Sequence, residues 1–303
     1  AGTIGRINNS SGGYNGEGSG VTSTRFNDTY HITVDNTDNN TLLISDYSNY
    51  RFRSIDLTTD TVSLLAGSGR GSSGFYGDVE LPSQQHLFNY PSGMAFDNNT
   101  RTLFFADQSN QRMRQIDPYG RISTAAGRGG GDPTIDNDIP SNVLMRTNFN
   151  GNNSPYNGID IWTDGTLTQL NSYGHNVRLW NRSGSDKTYL NEYIQDNGIS
   201  TVGGDYIAGA GNGGDGPALT IQMKYPNGVR FYDNGGNMEL FVVDSMNHCI
   251  RKIDNTGTST RVLGLCGTSG FPGNVVAAAA ARFNRPRDIV FDENGNAFIS
   301  DMN

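Results

Sequence analysis

The chain has little of what builds helices and membrane spans. Three of its 303 residues are lysine, and charged residues make up 17% of the total, whereas soluble domains typically carry about 25%. Helices favour Ala, Leu, Glu, Lys and Arg, so this composition argues against a helical fold. There is no run of 18 apolar residues, so the sequence predicts no membrane-spanning helix.

The sequence is acidic, and no signal peptide is visible in it. The formal net charge is -8, and an acidic surface repels phosphate backbones, so we expect no nucleic-acid partner. The sequence begins Ala1-Gly2-Thr3 and shows no signal peptide. We therefore expect a mature, processed or truncated product.

Glycine and small polar residues are what the chain has in abundance. Its 40 glycines are roughly twice the usual share, and Asn, Ser and Thr fill most of the other polar positions. These residues favour turns, so the sequence predicts short strands joined by many turns.

One pattern of four short segments recurs along the chain. The first two segments are apolar and end in Asp, the third is basic and ends in Ile-Asp, and the fourth runs into Ala-Gly or Cys-Gly. The second segment is apolar throughout, as expected for a strand buried on both faces. Such sheets must stack on one another to bury those faces. The copies cover residues 26–67, 90–127, 158–211, 225–267 and 286–303.

These motifs resemble the NHL repeat, a four-stranded blade of extracellular β-propellers. The resemblance is carried by the Pro-x-Gly before the first strand (Pro91, Pro226), by the second strand ending in Asp, by the Arg-rich third strand and by the final Ala-Gly. It implies an all-β propeller of four-stranded antiparallel blades in a single domain. The copy at 158–211 departs from the pattern, because its second strand ends in Ser172, residues 187–197 are inserted, and its fourth strand is expected at 206–209.

Five blades are visible, and the last one is incomplete. It has two strands and stops at Asn303, while residues 3–8 read as an outer strand that would close the ring. Three explanations stay open. The chain is a fragment, with a sixth blade in the whole protein; or a short blade is tolerated; or a neighbouring molecule donates a strand, which would link subunits head to tail into a fibre.

Cys249 and Cys266 are the two cysteines. They fall on a third strand and near the end of the next one, and opposed residues of such a hairpin lie close enough for a disulfide. The resemblance supports this pairing, because extracellular members often carry a cysteine pair within a blade. Two reduced, buried thiols are the alternative.

Asn-x-Ser/Thr triplets favour a secreted glycoprotein, although each of them is also an ordinary turn sequence. The candidate acceptors for N-glycans are Asn8, Asn9, Asn27, Asn39, Asn98, Asn152 and Asn181.

The repeated acidic and basic residues are interpreted as structural. The Asp that ends the second strand in four of the five copies serves turn hydrogen bonding, and third-strand arginines pair with neighbouring carboxylates. The four histidines His31, His86, His175 and His248 have no metal-binding spacing. Residues 132–138 and 213–215 could supply oxygen ligands to calcium, but ordinary turns are the favoured interpretation, and no cofactor is predicted.

The sequence therefore predicts a secreted scaffold that binds protein or glycan or self-associates. No catalytic, cofactor-binding or metal-binding residue is assigned. The alternative is a metal-dependent propeller enzyme that resembles an amidating lyase or a lactonase.

Overall fold

A computed structural model describes the chain between residues 13 and 302. Outside the described residues lie 1–12, 19, 36, 38–39, 69–72, 76, 79–82, 130–139, 143–157, 172–173, 206–209, 272–275 and 303. The described part consists of 21 β-strands and seven short 3-10 turns, with no α-helix. The chain divides into two compact units, Ala1–Gly129 and Gly130–Asn303. None of the described helices is long and apolar enough to cross a membrane.

The first unit contains two four-stranded antiparallel blades whose strands pair in sequence order. The first blade consists of β1 (Thr29–Asp35), β2 (Thr41–Asp46), β3 (Arg51–Asp56) and β4 (Thr61–Ala66). The second consists of β5 (Pro91–Asp97), β6 (Thr102–Asp107), β7 (Arg112–Ile116) and β8 (Ile122–Ala126).

Aromatic residues hold these two blades together. The ring of Phe52 on β3 lies 4.6 Å from that of Phe105 on β6, and Phe88 packs edge-on against both rings. Every residue of β6 is buried. The prediction that the apolar second strands are buried is confirmed here, because the sheet packs on both faces.

The second unit begins with the third blade, which consists of β9 (Ile159–Ile161), β10 (Leu167–Asn171), β11 (Asn176–Trp180) and β14 (Ile199–Gly203). An inserted hairpin, β12 (Lys187–Tyr189) and β13 (Glu192–Ile194), occupies the predicted insertion. Its turn residue Leu190 is 3% exposed and packs into the core of the unit.

The fourth blade has five strands, and a two-stranded sheet follows it. Its strands in chain order are the short β15 (Gly216–Pro217), β16 (Val229–Asn234), β17 (Asn237–Asp244), β18 (Cys249–Ile253) and β19 (Thr258–Gly264). β15 pairs with β19 at one edge of the sheet, and β16 forms the other edge. The last sheet consists of β20 (Pro286–Phe291) and β21 (Ala297–Asp301).

Two details of the third blade differ from the sequence prediction. Its fourth strand is β14, not residues 206–209, which lie outside the described residues. Gly204, directly after β14, is the glycine that follows the fourth strand in this blade, because a Cβ there would lie 2.3 Å from the His175 carbonyl. The sequence prediction assigned that place to the later pair Ala208-Gly209. The pairing of Asn171 with Asn176 also makes Asn171, not Ser172, the counterpart of the Asp that ends other second strands.

The Cys249–Cys266 disulfide is present, with Cα atoms 5.0 Å apart. Cys249 begins β18, opposite Gly264 at the end of β19, so the bond closes the hairpin just beyond its last pair. The predicted closing strand at residues 3–8 lies outside the described residues. Ring closure, strand donation and the single-domain assignment therefore stay predictions.

Candidate functional site

Three side chains form the same buried cluster in blades one, two and four, which we call the frame. An Asp ends the second strand, an Asn follows three residues later, and an Arg follows seven residues later on the third strand. Each Asp also accepts a hydrogen bond, 2.7–2.8 Å long, from the backbone N–H of a residue just before its own blade. The frames are Asp46–Asn49–Arg53, Asp107–Asn110–Arg114 and Asp244–Asn247–Arg251.

Each frame binds the Gly-rich link that precedes its own blade through hydrogen bonds to backbone carbonyls of the link. Asn110 donates to the Gly74 carbonyl at 2.7 Å, and Asn49 and Asn247 donate to carbonyls at the same separation of 36 residues. Arg114 donates to the Gly77 carbonyl at 2.8 Å and pairs with Asp78 on the link at 3.1 Å. The frame arginines thus pair with the frame carboxylates, which is the Arg–Asp pairing that the sequence predicts.

Burial dominates the electrostatics of the frame. The Asp107 and Arg114 side chains are both fully buried, with 3.6 Å between their charged atoms. Burial raises the pKa of Asp107 to about 6, although the hydrogen bond from Asn110 and the charge of Arg114 oppose the rise. The carboxylate is therefore ionised at neutral pH, and it depends on this hydrogen bond and on the nearby positive charge to remain so.

The link oxygens considered for calcium are held by an arginine. Arg251 donates to the carbonyls of Gly213 and Gly214 and lies 3.9 Å from Asp215. Residues 213–215 thus surround a guanidinium. The other calcium candidate, 132–138, lies outside the described residues.

The disulfide occupies the place of a stacked arginine. In blades one and two the residue five positions after the frame Asp is Arg51 or Arg112, which lies 3.6 or 4.1 Å from the ring centre of Tyr14 or Phe75 on the link. In blade four this position is Cys249. The start of the third strand is thus held by the disulfide to Cys266 in blade four, and by an arginine stacked on an aromatic ring of the link in blades one and two.

Each of the four blades presents one variable residue in a strained conformation, which we call the tip residue. It lies four positions after the frame Asp, or after Asn171 in blade three, and has a φ of +54° to +60°. Left-handed backbone is uncommon outside glycine and costs about 1–2 kcal/mol. The tip residues are Tyr50, Gln111, His175 and His248, all half-buried.

A second strained residue, the lead residue, precedes the first strand of blades one, two and four and of the last sheet. The lead residues are Asp28, Tyr90, Tyr225 and Arg285, with φ of +47° to +63°.

Tip and lead residues of successive sheets meet. His175 accepts a hydrogen bond at Nδ1 from the Tyr225 N–H at 3.2 Å, and His248 accepts one from the Arg285 N–H at 3.1 Å. Burial lowers the pKa of His175 to about 4 and also lowers the pKa of His248. Both imidazoles are neutral at pH 7, which their acceptor role requires.

In the first unit the same contact widens into a tyrosine cluster. The ring of Tyr50 lies 5.0 Å from that of Tyr90, Tyr47 lies 4.8 Å from Tyr90, and Tyr30 packs on Tyr47 at 3.9 Å. The hydrogen bond with Tyr90, together with burial, raises the pKa of Tyr50 to about 12. Sequence reasoning missed these positions, although their distance from the frame Asp is constant.

The candidate glycan acceptors that the structure describes differ in their exposure to solvent. Asn98 is exposed and Asn27 is half-buried. Asn181 is fully buried, and its Nδ2 donates to the carbonyls of Ser185 and Ile194, which leaves no room for a glycan in the folded chain. The other acceptors, Asn8, Asn9, Asn39 and Asn152, lie outside the described residues.

Comparison with known proteins gives the fold. No family model matches the chain. The Arabidopsis thaliana protein SUPPRESSOR OF QUENCHING 1, chloroplastic, is 25% identical over 274 residues, which cover 88% of this chain and 23% of that protein. The chain thus spans about a quarter of the length of this relative.

Several solved structures resemble the chain over at least 90% of its length. An auxiliary nutrient binding protein from Bacteroides ovatus has a TM-score of 0.55 at 14% identity, over 94% of this chain and 69% of that one. A chain of the nidogen/laminin complex has a TM-score of 0.54 at 13% identity, over 90% and 72%. The fold is a β-propeller. The propeller blades predicted from the repeat are thereby confirmed, and the likeness carries no more than the fold.

Proposed function

We propose that this propeller is a non-catalytic binding module of an extracellular protein, and that within each of its two units the tip and lead residues form a surface that contacts a protein or glycan ligand. One observation carries the proposal: the frame is the same in blades one, two and four, whereas the residue that it presents changes from Tyr50 to Gln111 to His248. A constant support with variable contact residues is the arrangement of binding scaffolds whose specificity lies in loops.

Backbone strain at these positions supports the proposal. A non-glycine residue in left-handed backbone persists only where its surroundings hold it there, and such residues cluster at functional sites. Asn or Gly would relieve the strain at Tyr50, His175 or His248. We infer that the side chains at these positions are kept for what they contact.

The chemistry of the surface suits recognition. Tyr50 and Tyr90 each combine a flat apolar ring with a hydroxyl, and such residues supply contact area at a low entropic cost. The disulfide supports an extracellular location, because disulfides persist in oxidising compartments. A binding role would also agree with two structurally similar chains, one of an auxiliary nutrient binding protein and one in the nidogen/laminin complex.

A ligand screen with matched variants tests this proposal. The chain would be applied to a glycan array and to a panel of secreted glycoproteins, and the best ligand titrated against Tyr50→Asn, Tyr90→Ala and Tyr119→Ala. Asn tolerates left-handed backbone, so Tyr50→Asn removes the ring without adding strain. Tyr119 is 84% exposed and belongs to neither set.

We expect the first two variants to weaken binding at least tenfold, with an unchanged melting temperature for Tyr50→Asn, and Tyr119→Ala to bind like wild type. Equal binding by all three variants would refute the surface. Turnover of a lactone or of an amidating-lyase substrate by the wild-type chain would refute the non-catalytic role.

A further inference from the structure

One lysine of the second unit occupies a position that is asparagine in the other sheets. The residue in question directly precedes the lead residue, and its backbone N–H donates to the Asp that ends the second strand. This hydrogen bond is 2.7–2.8 Å long in all four sheets, so it does not require a lysine side chain. The four equivalent residues are Asn27, Asn89, Asn284 and Lys224.

Lys224 also differs from the other two lysines of the chain in its pairing. The Nζ of Lys187 lies 2.9 Å from Asp164, and the Nζ of Lys252 lies 2.7 Å from Glu239. Lys224 is half-buried and forms no ion pair within the described residues. Partial burial of an ammonium without a carboxylate partner costs free energy, and a bound anion would offset that cost.

Lys224 lies between two tip histidines. Its neighbour Tyr225 donates its N–H to Nδ1 of His175 at 3.2 Å, and the two rings meet edge-on at 4.6 Å. The Lys224 carbonyl accepts the N–H of Met246, two residues before His248, at 3.1 Å. Burial lowers the pKa of both histidines, and the charge of Lys224 contributes to the lowering in each. The ammonium therefore acts on both imidazoles.

The two imidazoles add hydrogen-bond donors without adding charge. Each is neutral at pH 7 and accepts a backbone N–H at Nδ1, so its proton lies on Nε2. The Nε2–H of His248 donates to no acceptor within the described residues. Asp301 raises the pKa of His248 against the larger effect of burial, but its carboxylate already accepts the Asn284 N–H. An unpaired ammonium beside neutral donors suits an anion of single charge.

We propose that Lys224, His175 and His248 bind the carboxylate of an acidic sugar, a uronic acid residue of a glycan. The carboxylate accepts a charge-assisted hydrogen bond from the Lys224 ammonium and a second hydrogen bond from an imidazole Nε2–H. The ring of Tyr225 contacts the apolar face of the sugar. This inference rests on the proposed function and names the ligand class for the tip and lead residues of the second unit.

The charge of the whole chain favours a uronic acid over a polyanion. The net charge is -8, so the chain repels densely charged partners such as nucleic acid or an anionic membrane. Carboxylates that are spaced one to a sugar are repelled less. An acidic peptide offers the same carboxylate without a sugar ring to contact Tyr225, which makes it the less favoured source.

A titration with matched ligands tests the site. Tetragalacturonate, its methyl ester and tetraglutamate would each be titrated into the 303-residue chain by calorimetry. The ester keeps the sugar without the charge, and tetraglutamate keeps the charge without the sugar.

Three variants accompany the ligands. Lys224→Asn introduces the residue of the other three sheets and keeps the backbone hydrogen bond to Asp244. His248→Asn tolerates the left-handed backbone but lacks the imidazole donor. Lys187→Asn is the control, because it removes the same charge elsewhere in the second unit, from the pair with Asp164.

We expect saturable binding of tetragalacturonate, and binding of the ester and of tetraglutamate that is weaker by about tenfold or more. Affinity for tetragalacturonate should fall about tenfold in Lys224→Asn, about threefold in His248→Asn and less than about twofold in Lys187→Asn. Three results would each overturn the proposal: no saturation with tetragalacturonate, equal affinity for either comparison ligand, or unchanged affinity in Lys224→Asn.

Failure of this site is distinguishable from failure of the proposed function. A chain that binds another glycan or glycoprotein through Tyr50 and Tyr90, but not tetragalacturonate, would keep its binding function and lose this site. Binding of tetragalacturonate that is weakened by Tyr50→Asn and unaffected by Lys224→Asn would place the ligand on the first unit, and would likewise overturn the proposal.

Discussion

Arg251 donates a hydrogen bond from Nε to Asp244 across 3.0 Å, and neither side chain is exposed. Removing one partner of a buried ion pair leaves the other charge uncompensated, which typically costs about 3–5 kcal/mol. We expect Arg251→Met to lower the free energy of unfolding by about that amount in urea. Arg121→Met is the control, because Arg121 is 65% exposed in its pair with Asp117, and such pairs contribute less than about 1 kcal/mol. Equal losses in the two variants would contradict the structural role of the frame.

Gly264 and Gly77 have the same φ, +78°, but different surroundings. A Cβ at Gly264 would lie 2.7 Å from the His248 carbonyl, whereas nothing lies within 4 Å at Gly77. Gly77→Ala should cost about 1 kcal/mol from backbone strain alone. Gly264→Ala should cost about 2 kcal/mol more, because the β18–β19 hairpin must shift. Thermal unfolding of both variants measures the difference, and similar melting temperatures would show that the close approach is unimportant.

The disulfide closes a loop of 17 residues, for which the chain-entropy model gives about 3 kcal/mol. We expect Cys249→Ser with Cys266→Ser to lose about that much in urea unfolding. A second variant, Cys249→Arg, Cys266→Ser and Asn212→Phe, introduces the arginine stack of the other blades. It should recover about 1 kcal/mol, in the range of a cation–π contact. A triple variant less stable than the serine variant would show that the two fastenings are not equivalent.

His175 gives the fold a dependence on pH. Burial lowers its pKa to about 4, from an ordinary value near 6.5. Between these values the unfolded chain binds a proton that the folded chain does not, so stability is complete above pH 6.5 and is lost as the pH falls toward 4. With allowance for its partial exposure, we expect about 1 kcal/mol to be lost between pH 7 and pH 5.

Urea unfolding of His175→Asn at both pH values checks this assignment. Asn suits the left-handed backbone and keeps an acceptor for the Tyr225 N–H, but does not titrate. The variant should lose about 1 kcal/mol less than wild type over the same interval. An identical loss in both proteins would place the acid sensitivity elsewhere.

Much of the fold could be predicted because the repeat is explicit in the sequence. The apolar run of β6, the arginine opposite Asp107 and the paired cysteines each follow from a residue type at a fixed spacing. The boundaries that failed depend on register: Asn171 and Ser172 are adjacent polar residues, and only the pairing of β10 with β11 distinguishes them.

The candidate surface could not be predicted, for a different reason. Tip residues share a backbone conformation and a fixed distance from the frame Asp, but not a residue type, so nothing in the side chains of Tyr50 and His248 marks them as equivalent. The burial of the glycan acceptor Asn181 could not be predicted either. An Asn-x-Ser/Thr triplet does not reveal whether the side-chain amide of its Asn is hydrogen-bonded within the fold.

Each link is fastened by side chains that lie 36 and 37 residues later in the chain. During translation, at about 5–20 residues per second, roughly two to seven seconds therefore separate the synthesis of a link from that of its frame Arg. A nascent blade cannot become complete until its third strand has left the ribosome. Folding during synthesis should then advance in steps of one blade, with the newest glycine-rich segment accessible to proteases and chaperones until the next arginine emerges.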